Sequence, residues 1–194
     1  MDNWKEKMSD FENKFGYHNE TSWASFIKYV QELMTEYSNE VEVNVRVIYA
    51  LHNILVEEET LDCEQIQISS LLKQYFQESY DKFQENAEYL FFIGKILYVA
   101  EWYFGIDDDT KSIKDRIAFH MQKKTIEKEP DNILYQWAYF LSLNEREKTF
   151  LLSKEILCGN NQNYLIWLKN KGFAGNYIID SLEYCYNNFA VVNF

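Results

Sequence analysis

A single proline, Pro130, and six glycines in 194 residues leave this chain few places to turn. An all-β protein of that length needs many more turn residues, so the shortage selects long helices joined by short polar loops. The stretch from Asn86 to Leu143 shows the pattern. It reads as an apolar helix over Ala87–Phe104, an acidic break at Asp107, Asp108 and Asp109, and a charged helix over Thr110–Glu129. The chain then restarts after Pro130 into Tyr135, Trp137, Tyr139 and Phe140. A helix apolar on nearly every side is buried by neighbours on several faces, so Ala87–Phe104 is the expected central helix. The three aspartates suit the positive end of the following helix. Pro130 stops that helix.

Hydrophobic spacing predicts helices on both sides of this stretch. Trp4, Met8, Phe11 and Phe15 recur at helical spacing over Asp2–Lys14. Trp23, Phe26, Ile27, Val30, Met34 and Tyr37 form the stripe of a second helix, opened by Thr21 or Ser22 as cap. The segment Val41–Val47 alternates with the period of a strand. Helix is still the better reading, because Val45, Ile48, Leu51 and Leu55 continue at three and four spacing and a lone strand would have no partner. Asp62–Phe83 places Leu71, Leu72, Tyr75, Phe76 and Tyr80 inward, and Thr110–Glu129 places Ile113, Ile117, Met121 and Ile126 inward. Beyond Pro130 come Asp131–Leu143, Glu145–Leu157, Asn160–Lys171 and Asn176–Asn188. Gly159, Gly172 and Gly175 fall in the gaps, and the apolar tail Phe189–Phe194 is expected to pack down. The expected fold class is all-α: one domain, 1–194, of about nine or ten helices in antiparallel pairs. It is divisible into acidic N-terminal helices (1–84) and repeat-like helices (85–194).

Charge narrows the partners. The formal net charge is −12, and residues 1–64 hold 14 Asp and Glu against 5 Lys and Arg. Such a surface repels nucleic acid and anionic membrane and favours a basic protein. No apolar run reaches the roughly 18 residues of a membrane span. The N-terminus Met-Asp-Asn-Trp-Lys-Glu lacks a basic-then-apolar signal region, and the unpaired spacing of Cys63, Cys158 and Cys185 suits reduced, part-buried thiols. A cytoplasmic location is the expectation.

Catalytic patterns are missing. None of His18, His52 and His120 has a Glu three residues before it, as a carboxylate-bridged metal site in a bundle requires. Zinc spacing, a glycine-rich phosphate loop and a dinucleotide fingerprint are absent too. Asp62 and Glu64 flank Cys63 and would blunt its nucleophilicity. The expectation is therefore a binding protein and not an enzyme, with no cofactor and no metal. Fifteen Tyr, fourteen Phe and five Trp exceed what one core of this size hides. Tyr17, Tyr29, Tyr37 and Tyr186 are candidates for an interface, where an aromatic body with a polar tip buries well.

Two resemblances follow from particular residues. Lys124-Thr-Ile-Glu-Lys-Glu-Pro-Asp-Asn132, followed by Tyr135, Trp137, Ala138 and Tyr139, resembles the junction between two tetratricopeptide repeats, with Ala118 at the family's small position. Asn86-Ala87-Glu88-Tyr89 with Gly94 looks like the opening of a preceding repeat. The interval from Gly94 to Pro130 is about twelve residues longer than that repeat allows. The resemblance implies stacked antiparallel helix pairs, possible over residues 86–157, and a groove for a peptide or protein. By type, a small, acidic, aromatic-rich, motif-free helical chain resembles bacterial immunity proteins that neutralise polymorphic or contact-dependent growth-inhibition toxins. That resemblance implies an antitoxin whose partner is a basic toxin domain, often a nuclease. The residues behind it are Glu32, Glu36, Glu40, Glu42, Glu57, Glu58, Glu59, Asp62 and Glu64, with Asp107, Asp108 and Asp109 as a second acidic cluster. The alternative is a tetratricopeptide-like adaptor.

Overall fold

A computed structural model describes residues 3–15, 22–57, 62–106, 112–159 and 161–189. All regular structure among them is helical: ten α-helices and two 3₁₀ turns. The chain divides into two compact units, Met1–Gln84 and Glu85–Phe194.

The first unit holds α1 (Trp4–Phe15), α2 (Trp23–Tyr37), α3 (Val41–Glu57) and α4 (Asp62–Phe83). α2 packs on α1, α3 and α4, and α3 lies along α4. Aromatic rings join the first two helices: Phe11 stacks on Tyr29 at 5.7 Å and meets Phe26 at 5.5 Å. Val30, Leu33, Val43, Val47, Ile48, Leu51, Ile68 and Leu72 complete a core closed to solvent. The alternating run in α3 has a physical explanation. Its polar members Asn44 and Arg46 are buried too, so no solvent face alternates with a core face. Asn44 Nδ2 donates to the carbonyls of Ser38 (3.1 Å) and Glu40 (2.7 Å), which satisfy its buried amide. Ile66, by contrast, stands exposed on α4.

The second unit holds α5 (Ala87–Leu97), 3₁₀ turns at Glu101–Phe104 and Ile113–Asp115, α6 (Ile117–Lys128), α7 (Ile133–Ser142), α8 (Arg146–Cys158), α9 (Asn163–Lys169) and α10 (Gly172–Asn188). Neighbours in sequence pack as pairs: α5 with α6, α7 with α8, α9 with α10. α6 also touches α7, and α8 touches α10. Every residue of α5 from Tyr89 to Leu97 is buried, as expected of a helix apolar nearly all round. Asn86 caps α5 by accepting from Tyr89 N, and Asn132 caps α7 by accepting from Leu134 N and Tyr135 N.

Several expected boundaries move. The expected helix Ala87–Phe104 stops at Leu97, and a 3₁₀ turn at Glu101–Phe104 follows. The break lets Glu101 turn fully inward, where its Oε1 accepts from Ala118 N at 2.6 Å. The acid that satisfies the start of α6 is thus Glu101. α6 begins at Ile117, not Thr110, and Asp107–Asp109 lie outside the described residues. Ile113 sits exposed in a 3₁₀ turn; the buried face of α6 is Ala118, Phe119, Met121, Gln122 and Thr125. The surplus length between Gly94 and Pro130 is therefore the connection between α5 and α6. That pair is close: a Cβ at Gly94 would lie 2.4 Å from Gln122 Nε2 and 3.0 Å from Met121 Cβ. Gly175 does not end a helix. It lies inside α10, where a Cβ would come within 1.8 Å of the Leu168 carbonyl oxygen, so α10 needs glycine there to approach α9. Cys63 and Cys158 are exposed, and Cys185 alone of the three is buried. The tail beyond Phe189 lies outside the described residues.

Candidate functional site

The N-terminal acids divide by their intramolecular partners. Glu42 is drawn into the protein by Arg46, whose Nη1 donates to it at 3.0 Å. The same guanidinium grips Glu12 with Nε at 2.8 Å and Nη2 at 2.7 Å. Burial works against the Arg46 charge, but Glu12 and Glu42 outweigh it and hold its pKa above the ordinary value. Glu36 on α2 pairs with Lys7 on α1, and that bond holds its carboxyl below the usual range. Glu32 is exposed and faces Lys28 one turn earlier, at 3.9 Å. Glu40, Glu57 and Asp62 are exposed, at the start of α3, the end of α3 and the start of α4; Glu64 is half-buried. Glu58 and Glu59 lie outside the described residues. Across the unit, residues 1–84 hold 16 Asp and Glu against 7 Lys and Arg. Of the tyrosines expected at an interface, Tyr29 lies in the Phe11 cluster and donates to Lys7 O at 3.2 Å. Tyr37 lies beneath the Lys7 ammonium, and Tyr186 stacks on Phe150 at 5.7 Å. Tyr17 is outside the described residues.

The second unit contains a cleft of about 520 Å³, lined by Asn86, Ala87, Glu88, Glu129, Asn132, Leu134, Tyr135, Asn163, Tyr164 and Trp167. These residues come from the first turns of α5 and α7, from the α6–α7 connection and from α9. Tyr135 is buried, whereas Glu129 is exposed. Burial, and then the negative Glu129 and Glu88, push the Tyr135 phenol above its ordinary pKa. Glu88 Oε1 meets Lys171 Nζ at 2.7 Å, and the same ammonium lies 5.1 Å from the Trp167 ring centroid. Glu129 Oε2 accepts from Asn132 Nδ2 at 3.0 Å. The residues are scattered in sequence and match no motif. The tetratricopeptide-like junction, which contains Glu129, Asn132 and Tyr135, was the available signal.

Lys95 and Glu101, the charged residues of the apolar stretch 89–102, are both buried. Burial holds the Lys95 ammonium down at about 8, with Cys185 acting the other way. The Nζ lies 5.0 Å from the Trp137 ring centroid and 5.5 Å from that of Tyr98. At 4% exposure the ammonium packs against those rings.

No helix among the described residues is long and apolar enough to cross a membrane. Comparison with protein families, with curated proteins and with solved structures finds no match.

Proposed function

We propose that this chain is a stoichiometric binding protein of the immunity or antitoxin type, covering a basic toxin domain and blocking its active site. The observation that carries the reading is the exposed acid of the first unit. Glu32, Glu40, Glu57 and Asp62 stand at the surface of a segment with 16 acidic against 7 basic residues. An acidic excess of this kind would offer negative charge to a basic cleft such as a nuclease's. Charge complementarity speeds encounter and sets specificity, while desolvated aromatic anchors hold the complex. A nuclease is the partner whose substrate the surface best imitates, and no turnover is required.

The test begins with the partner co-purified from the source cell and identified by mass spectrometry. Support requires three results together: a basic partner, loss of its toxic activity at one-to-one stoichiometry, and slower association after Glu57, Glu58 and Glu59 are replaced together by Lys. That swap also weakens the salt dependence of association. Unchanged association would place the contact elsewhere, and an acidic partner would end the reading.

A second reading has its own support. The successive helix pairs of the second unit bring the first turns of α5 and α7 together with α9 on one cleft. An adaptor of tetratricopeptide-like build, taking an extended peptide, would use such a surface. A folded partner domain favours the first reading and an extended peptide favours the second.

A further inference from the structure

We propose that the cleft between α5, α7 and α9 is a binding site for an organic cation, an alkylammonium or alkylguanidinium group. The site lies in the second unit, and the proposal stands apart from the acidic surface of the first.

A volume of about 520 Å³ falls within the range of small-molecule sites, about 300–1,000 Å³. Its walls combine the two features that hold organic cations, ring faces and carboxylates. Tyr135, Tyr164 and Trp167 supply the rings; Glu88 and Glu129 supply the charge. The protein already seats one ammonium on this wall, since Lys171 Nζ rests against both Glu88 and the Trp167 ring. A second cation in the cleft would have Glu129, the Tyr135 and Tyr164 rings and the amide oxygen of Asn163 among the groups that line it.

One effect opposes the proposal. Helix starts carry partial positive charge and by themselves invite an anion. Here Asn86 and Asn132 already accept from the leading amides of α5 and α7. Two full carboxylates against one Lys171 leave the wall net negative. After burial, the same two carboxylates, Glu129 and then Glu88, are what hold the Tyr135 phenol above its ordinary pKa.

The cation could arrive as a free amine or as the side chain of a basic polypeptide, and calorimetry on the full chain separates them. The probes are n-butylammonium, butylguanidinium, N-acetyl-lysine amide, its neutral Nε-acetyl analogue and a tetralysine peptide. The Trp167 indole N–H is followed in parallel by NMR. The three small cations are expected to bind and shift that resonance, and the neutral analogue to bind at least tenfold more weakly. Glu129→Gln keeps an acceptor for Asn132 on an exposed side chain and is expected to weaken cation binding about tenfold. Tyr164→Leu is expected to weaken it about threefold. Tetralysine binding more tightly than butylammonium, with competition between them, assigns the site to a polypeptide side chain; equal affinity assigns it to a free amine. Equal binding of the neutral analogue, unchanged affinity in a folded Glu129→Gln variant, or no shift at Trp167 with any cation would overturn the proposal.

Discussion

Arg46 is the residue on which the first unit's electrostatics turn. Its side chain is 8% exposed and holds Glu12 bidentately and Glu42 one turn before it. Removing one member of such a group leaves charge buried without compensation, at a cost of about 3–5 kcal/mol. Arg46→Ala should therefore lose stability of that order in urea denaturation. The triple change Glu12→Gln, Glu42→Gln, Arg46→Met should recover most of it, since no charge is then stranded. His52, six residues on, gives a pH signature. Burial pushes its imidazole down to about 4 from an ordinary 6.5. The folded state keeps the neutral form, so its contribution is full above pH 6.5 and is lost as pH falls from there through about 4. Linkage sets the total near 3 kcal/mol. Urea midpoints measured across that window should fall for the wild type and stay flatter for His52→Leu. Neither residue announces this role in sequence. The alternation around Arg46 looks like a strand's two faces, because pattern alone does not separate a polar side chain in water from one buried against a partner. Glu42 counts as a surface acid in sequence for the same reason.

Helix interiors are more legible than helix ends. α4 has the span its pattern predicts, and α5 is as buried as its composition implies. Ends depend on partners that lie far off in sequence. α5 stops at Leu97 where a local reading would run to Phe104, because Glu101 is needed at the start of α6. Losing that cap in Glu101→Ala would leave the Ala118 N–H buried and unsatisfied, at a cost of about 2 kcal/mol. Amide exchange at Ala118 should then quicken ahead of exchange in the middle of α6. Gly175 teaches the same lesson for spacing between helices. Its neighbours read as a helix end, but the demand comes from the Leu168 carbonyl on α9. Gly175→Ala would force α9 from α10, and overpacking of this kind costs about 1–3 kcal/mol. A melting temperature equal to wild type would show that the two helices have room to separate.

At the scale of the whole chain, charge is the property that sequence states most directly. Residues 1–84 carry 16 acidic against 7 basic side chains, and residues 85–194 carry 15 against 12. The cleft is the property it states least, because Glu88, Glu129, Tyr135, Tyr164 and Trp167 meet only when three helix pairs stack. The two candidate surfaces thus fall in different units, and each unit has its own buried centre: Val47, Ile48, Leu51 and Leu72 in one, Phe92, Ile93, Trp137 and Ile178 in the other. The division at Glu85 also respects ion pairing, since Glu85 bonds Lys124 and Lys128, both on α6. Those bonds hold its carboxyl down at about 2, so cutting before Glu85 keeps the arrangement intact. A segment of 84 residues exceeds the length below which single cores usually fail, about 40. Met1–Gln84 expressed alone should therefore be helical by circular dichroism and unfold cooperatively. It should keep the salt-dependent association with a basic partner, while Glu85–Phe194 alone should keep cation binding at Trp167. If both activities vanish on separation while both fragments stay folded, the functional surface requires the joined chain, and assigning one role to each unit is wrong.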